Sequence, residues 1–435
     1  MVKANRLLKE TFIYSIGSFG SKILSFLLVP IYSFFLTKED LGSYDLFLTT
    51  VTLFVPLVSL QISDAAYRWL IDGVKENTDQ YKSSKIVTNT FFIIIGMFLI
   101  FGIFFAIYLY FYSFQYSSYF LVTLFFSSFF PFLQSIQRGM GNSKGYAASG
   151  IILSFLMVIL NIILVVLLKL EVKGILLANI IAYIIGSVII ISKLNYFNLI
   201  QLNLFEKELC LNMVSYSLPL IPNLMSWWVI SSASKFIIEN NLGLENNGIY
   251  AISSKFSVIL IMVNSVLLLP IQDMYLKGEM NSGYFSKIIN KFIILEFSLI
   301  LLLSVTAPVY ARYLISSDFY IAWRYMPLIY LGVGFSAIAS IIGFVYLNNK
   351  QTIRVTVTTL FGGFVALLIC YLFIDRYNLQ AVSFSFFISY FIVFILRYLD
   401  VRHILKVGIK VSVSLLFFIL LNLILIYILL NINII

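Results

Sequence analysis

Residues 28–47 read LVPIYSFFLTKEDLGSYDLF: an apolar run, a short acidic turn, then Gly42-Ser43-Tyr44 opening a second apolar run. The pattern predicts two helices joined by a tight connection. Followed outward, each run reaches roughly 20 residues or more, enough to cross a ~30 Å hydrocarbon layer as a helix. The plan recurs at 234–253, SKFIIENNLGLENNGIYAIS, where an acidic turn again precedes Gly248-Ile249-Tyr250. Gly42 and Gly248 are 206 residues apart in a chain of 435. That interval fits two six-helix halves with one further C-terminal span, and parallel six-helix repeats are a common transporter plan.

The composition agrees. Hydrophobic residues make up 61% of the chain and charged residues 11%, with a mean hydropathy of +1.00. A soluble core needs no such excess. The apolar runs are continuous, unlike the short alternating segments of a membrane β-barrel. The expected fold class is therefore an all-α polytopic membrane protein. Thirteen candidate spans follow, at about 11–36, 41–65, 86–112, 116–138, 146–168, 174–194, 212–237, 247–272, 287–313, 322–347, 353–374, 379–399 and 407–430. The longest connection is the basic stretch YRWLIDGVKENTDQYKSSK at 67–85, so no soluble domain is expected. The N-terminal MVKANRLLKE is basic, the apolar run after it is too long for a signal-peptide core, and no small-residue cleavage site follows; a retained first helix is expected.

The positive-inside rule orients the chain. With the N-terminus cytoplasmic, the tail and the loops after even-numbered spans hold 20 of the 29 Lys and Arg, and the loops after odd-numbered spans hold six. The net charge of +10 is then mostly this bias, with attraction to anionic inner-leaflet lipid; it gives no reason to expect nucleic acid. Two cysteines, Cys210 and Cys370, in or beside membrane segments make neither a disulfide framework nor a metal site. The single His403 argues against His-based metal binding or catalysis, and no cofactor is expected. Abundant Phe, Tyr, Ile, Asn and Lys fit the codon bias of an AT-rich genome. All eight prolines lie within or at the ends of apolar spans, where they kink helices.

Three lysines remain inside spans: Lys22, Lys235 and Lys255. An ammonium in hydrocarbon costs between ~3 and more than 10 kcal/mol, so each needs a reason. In span 1, Thr11, Ser15, Ser18, Lys22 and Ser25 fall on one helical face. Lys22 is near mid-depth there and, with Ser18 and Ser25, is read as lining a cavity. Span 2 carries Asp45, Thr49, Thr52, Pro56, Ser59 and Ser63 on one face, and span 4 carries Ser128, Pro131, Gln134, Ser135 and Arg138. In span 7, Trp228, Ser231, Ser232, Lys235 and Glu239 form a similar stripe. Small hydroxyl residues at this spacing serve close helix packing equally well. Lys235 lies near the end of its span, where pairing with Glu239 one turn on, snorkelling and a cavity role all stand. Lys255 has apolar neighbours at three and four residues, so both readings stand for it too. Asp45, Asp64, Glu239 and Glu296 are the candidate carriers of a coupling H+ or Na+; helix ends also tolerate acids for ordinary reasons.

YSLPLIPNLMSWWVISSASKFII at 216–238, followed by GIYAISSKFSVIL at 248–260, resembles the start of the second half of bacterial polysaccharide flippases. These are the O-antigen and capsule repeat-unit transporters of the MOP superfamily, which also contains the MATE exporters. LGSYDLF at 41–47, DAAYRWLIDG at 64–73 and LQSIQRGMGNSKGYA at 133–147 fit the same family. The resemblance implies two six-helix lobes, here 1–200 and 201–400, around a central cavity lined by spans 1, 2, 7 and 8. Residues 401–435 would form an additional helix, a departure, since twelve or fourteen spans are usual. Lys22, Lys235 and Lys255 lie on three of the four lining spans. The implied substrate is an oligosaccharide on undecaprenyl pyrophosphate, flipped across the bacterial inner membrane by alternating access. Membrane lipid, a polysaccharide polymerase and chain-length machinery are the implied partners.

Three alternatives compete. A MATE-type drug/cation antiporter would place acids deep in its cavity, where the deepest charge here is basic. A lipid-II flippase of the same superfamily fits the layout. A membrane polysaccharide polymerase would need a sizeable catalytic loop, which these connections do not provide.

Overall fold

The computed structural model describes residues 20–75, 80–194, 199–276, 280–349 and 351–405. Among them there is no strand, and nine helices are long and apolar enough to cross a membrane. Ser18 and the expected span at 407–430 lie outside the described residues. In chain order the helices are α1 Gly20–Phe35, α2 Lys38–Ser59, α3 Ile62–Lys75, α4 Gln80–Phe111, α5 Ser117–Gly139, α6 Ser143–Asn161, α7 Glu171–Leu194, α8 Lys207–Ser217, α9 Leu220–Trp228, α10 Ser234–Leu242, α11 Leu244–Phe256, α12 Val258–Leu276, α13 Ser282–Leu314, α14 Met326–Asn348 and α15 Thr352–Leu405. The chain divides into two compact units, Met1–Leu28 with Phe47–Met225, and Val29–Leu46 with Ser226–Ile435.

In the first unit, α3 corrects the expectation of a loop at 67–85. Ile62, Ala65, Ala66 and Leu70 recur at steps of three and four and are buried against Phe132, Leu133 and Ile136 of α5. Asp64 and Arg68 are exposed on the other face of this amphipathic helix. α2 stops at Ser59 because Leu60 and Gln61 take left-handed conformations (φ 48° and 52°), so Ser63 belongs to α3 rather than to the stripe on α2. Asn89 and Thr88 of α4 tie down the segment before α8. Asn89 donates to the Leu204 carbonyl (2.9 Å) and accepts from the Glu206 amide (2.8 Å), while Thr88 donates to the Leu199 carbonyl (3.2 Å). Irregular backbone is thereby satisfied within protein.

In the second unit, Thr37 and Asp40 form a capping box at the start of α2: the Asp40 amide donates to Thr37 Oγ1 (3.1 Å) and the Thr37 amide to Asp40 Oδ2 (3.3 Å). The span expected at 212–237 is segmented. α8 and α9 are separated at 218–219, and a π-turn over Val229–Ala233 joins α9 to α10. Gly243, at φ +84°, then ends α10 with its amide on the Glu239 and Ile238 carbonyls and lets α11 begin at once. α14 is the central helix, with nearly every residue buried against α12, α13 and α15. The spans expected at 353–374 and 379–399 are two helical arms of α15, separated at Asn378, whose backbone is far from helical (φ 48°, ψ −135°). Pro56, Pro131, Pro270 and Pro308 sit inside helices, and Pro327 starts α14, where no intrahelical donor is needed.

Candidate functional site

The site grows from one helix crossing in the second unit. A Cβ added to Gly42 would overlap the Leu244 carbonyl oxygen, and one added to Gly248 would overlap the Lys38 carbonyl oxygen. The contact is reciprocal, each glycine meeting the carbonyl four residues before the other. The matching Gly-x-Tyr segments thus pack directly on one another. Asn247, fully buried, donates to the Gly42 carbonyl (2.9 Å) and clamps the crossing.

One turn from that crossing, Asp45 of α2 meets Lys235 of α10. Lys235 Nζ lies 3.0 Å from Oδ1 and 2.8 Å from Oδ2, and both side chains are about nine-tenths buried. Lys235 therefore pairs with Asp45, 190 residues away, and not with Glu239, which is exposed and in no ion pair among the described residues. The physical reason is burial: a carboxylate inside the unit holds the ammonium more strongly than one in solvent. Lys255 of α11 sits over the Tyr32 ring at 4.5 Å and the Tyr44 ring at 5.8 Å. These two buried rings are edge to face, with centroids 5.8 Å apart. No carboxylate among the described residues comes within ion-pair distance of Lys255, although the charges of Asp45 and Lys235 both reach it. Two lysines against one aspartate leave the cluster with one net positive charge, and aromatic faces hold the unpaired cation.

The other candidate residues lie elsewhere. Lys22, half-buried, and Ser25, exposed, belong to the first unit, with the Ser25 hydroxyl donating back to the Ser21 carbonyl (3.0 Å). Asp64, exposed, opens α3 and accepts from Gln61 (3.0 Å). Glu296 of α13 is fully buried and accepts from Asn264 Nδ2 (3.0 Å), while its Oε2 and Asn264 Oδ1 have no hydrogen-bond partner among the described residues. A concavity of about 230 Å³ lies within the first unit between the α2–α3 link and α5, and takes in Asp64, Gln134 and Arg138.

Arg397, near the end of the span expected at 379–399, is one of the 20 charges that the positive-inside count assigns to the cytoplasmic side, yet it is 1% exposed. It crosses from α15 to α14 with four bonds to neutral acceptors: the Ala339 carbonyl (2.9 Å), the Val355 carbonyl (3.2 Å), Thr358 (3.0 Å) and Thr359 (2.9 Å). Its signal was visible in FIVFILRYLD, a basic residue directly after an unbroken apolar run. Of the two rings under Lys255, Tyr44 has a sequence signal in the repeated Gly-x-Tyr, and Tyr32 has none.

Residues 7–272 match the family described as polysaccharide biosynthesis protein, which is more than half of the chain. The chain belongs to this family. No curated protein matches it. Its fold is that of the MOP-superfamily transporters. It superposes on the inward-facing structure of a multidrug-resistance MATE transporter of that superfamily with a TM-score of 0.70 and 13% identity, covering 88% of this chain and 94% of the other. A MOP-superfamily transporter from Pyrococcus furiosus, whose binding pocket is described as of reverse polarity, gives 0.63 and 14%, covering 92% and 95%. A Vibrio cholerae MATE transporter gives 0.57 and 13%, covering 94% and 99%. The chain is thus a polysaccharide-biosynthesis family member with this fold and, among the described residues, nine helices long and apolar enough to cross a membrane.

Proposed function

We propose that this transporter is a flippase that moves oligosaccharide repeat units on undecaprenyl pyrophosphate across the bacterial inner membrane. The observation that carries the reading is the Lys255–Lys235–Asp45 cluster on its tyrosine pair, a net positive charge kept inside a membrane protein of a polysaccharide-biosynthesis family. At ~4 Å and an effective dielectric near 20, each lysine–phosphate contact contributes about 4 kcal/mol of attraction. Asp45 holds Lys235 while the site is empty; a diphosphate then competes with Asp45 for that lysine. Binding is strong enough to select the anion and weak enough to release it. Lys22 is a half-buried cation of the first unit, the N-terminus is cytoplasmic, and a polymerase with chain-length machinery receives the product. Coupling to H+ or Na+ falls to Glu296, Asp45, Asp64 or Glu239, of which Glu296 is the most buried.

Complementation of a flippase-null strain tests this. The wild-type chain is expected to restore surface polysaccharide, Lys255→Ala to lose most of it, and Lys255→Arg to retain part. Full restoration by Lys255→Ala at matched protein level would remove the cluster from the mechanism. The fold neighbours support a second reading, a MATE-type drug/cation antiporter. A net positive cluster repels cationic drugs, so drug tolerance conferred on a pump-deficient strain would favour the antiporter, and restored polysaccharide the flippase.

A further inference from the structure

The concavity of the first unit has a hydrogen-bonding character of its own. Its α5 wall carries Ser127, Ser128 and Ser135, whose hydroxyl protons are given to backbone: Ser127 and Ser128 to the Leu124 carbonyl (3.0 and 2.9 Å), Ser135 to the Phe132 carbonyl (2.7 Å). What those serines still offer is lone pairs. Gln134 spends an N–H on Ser149 (3.1 Å), which leaves its carbonyl oxygen to accept. Pro131 lines the same wall and has no N–H to give the Ser127 carbonyl in the helix ladder. Across from it, Asp64 accepts from Gln61, whose left-handed backbone at φ 52° turns the chain into the cavity rim. Arg138 lies over the Tyr67 ring at 4.2 Å and is the cavity's cation.

The lining therefore mixes acceptors with donors, since Ser59, Ser63, Tyr67, Tyr146 and Arg138 share it with the serine lone pairs, all around the one carboxylate of Asp64. A phosphate brings only acceptors and negative charge, and would face that carboxylate and the three serines whose protons are already given to backbone. A polyhydroxylated ring brings donors: vicinal hydroxyls to the Asp64 carboxylate, others to Gln134 and the serines, with its own oxygens accepting from Arg138. At about 230 Å³ the space is below the ~300–1,000 Å³ of drug-sized sites, which suits one ring and not a chain of them. We infer that the first unit carries a binding site for one neutral pyranose ring, separate from the cationic cluster of the second unit. The ring belongs to the transported glycan, in which case this inference rests on the proposed function, or to a free sugar; the chemistry is the same.

Saturation-transfer NMR on the full chain in nanodiscs, with glucose, galactose and N-acetylglucosamine as separate probes, tests it. Saturation should reach the ring protons of at least one sugar. The titrated affinity should fall about tenfold or more in Asp64→Asn and about threefold to tenfold in Gln134→Leu. Inorganic pyrophosphate should not displace the sugar. The inference is overturned by transfer no greater than to glycerol, by unchanged affinity in both variants at matched thermal stability, or by displacement with pyrophosphate. In cells, loss of polysaccharide in Gln134→Leu beside a functional wild type assigns the ring to the transported glycan; retention assigns it to a free sugar. If the wild type itself restores no polysaccharide, the flippase reading fails while the sugar site stands on the NMR alone.

Discussion

Removing Asp45 should harm this protein more than removing Lys235, although the two form one ion pair. At 2.8 Å the pair attracts with about 6 kcal/mol at an effective dielectric near 20, and desolvation of two ions offsets most of that. The cost of breaking it depends on what is left behind. Asp45→Asn leaves Lys235 and Lys255 both buried with no counter-charge, for which ~3–5 kcal/mol is expected. Lys235→Met leaves Asp45 beside Lys255, a charge-balanced remnant, for which ~1–3 kcal/mol is expected, comparable to one unsatisfied buried polar group. The purified protein in mixed micelles, unfolded with increasing SDS and followed by tryptophan fluorescence, reads both values. A double-mutant cycle should show coupling of at least ~1 kcal/mol between the positions. Equal or inverted single-variant costs would show that Lys255 does not share the carboxylate and that the cluster is not one electrostatic unit.

The glycine crossing and the buried arginine give further expectations. Gly42→Ala and Gly248→Ala each drive a Cβ into a backbone carbonyl, so each should destabilise by ~3 kcal/mol or more. Once the helices have parted the second substitution adds little, and the double variant should fall well short of the sum in the same SDS titration. Arg397→Lys should be worse than Arg397→Met. Lysine keeps the buried charge but cannot reach four acceptors spread over α14 and α15, whereas Met removes the charge and leaves Thr358 and Thr359 donating to backbone as they already do. Comparison of the folded yield of the two variants after detergent extraction checks the order.

Periodicity and composition were enough for the helical membrane fold, because an apolar run of sufficient length has few other uses. The duplicated Gly-x-Tyr also stood out in the sequence, but that the two copies pack on each other did not. A pattern repeated within a chain says nothing about distance between its copies. For the same reason Lys235 suggested Glu239, its neighbour along the helix, when its partner lies 190 residues away. Local spacing identifies the face a side chain occupies and leaves the identity of the facing helix open. The α3 segment was hidden by its charges, which mark a loop when counted and one side of an amphipathic helix when placed. Arg397 was misplaced by a rule that assigns basic residues to loops, since four neutral acceptors on two helices leave no signature near residue 397.

The π-turn at Val229–Ala233 amounts to one surplus residue in an otherwise α-helical path. A residue advances an α-helix by about 100°. Losing a single codon within this turn would let α9 run straight into α10, and every side chain beyond it would swing by that angle. Lys235 would then point away from Asp45, with no change to either amino acid. The aim of the lysine thus depends on how many residues precede it in the helix, and not only on which residues they are.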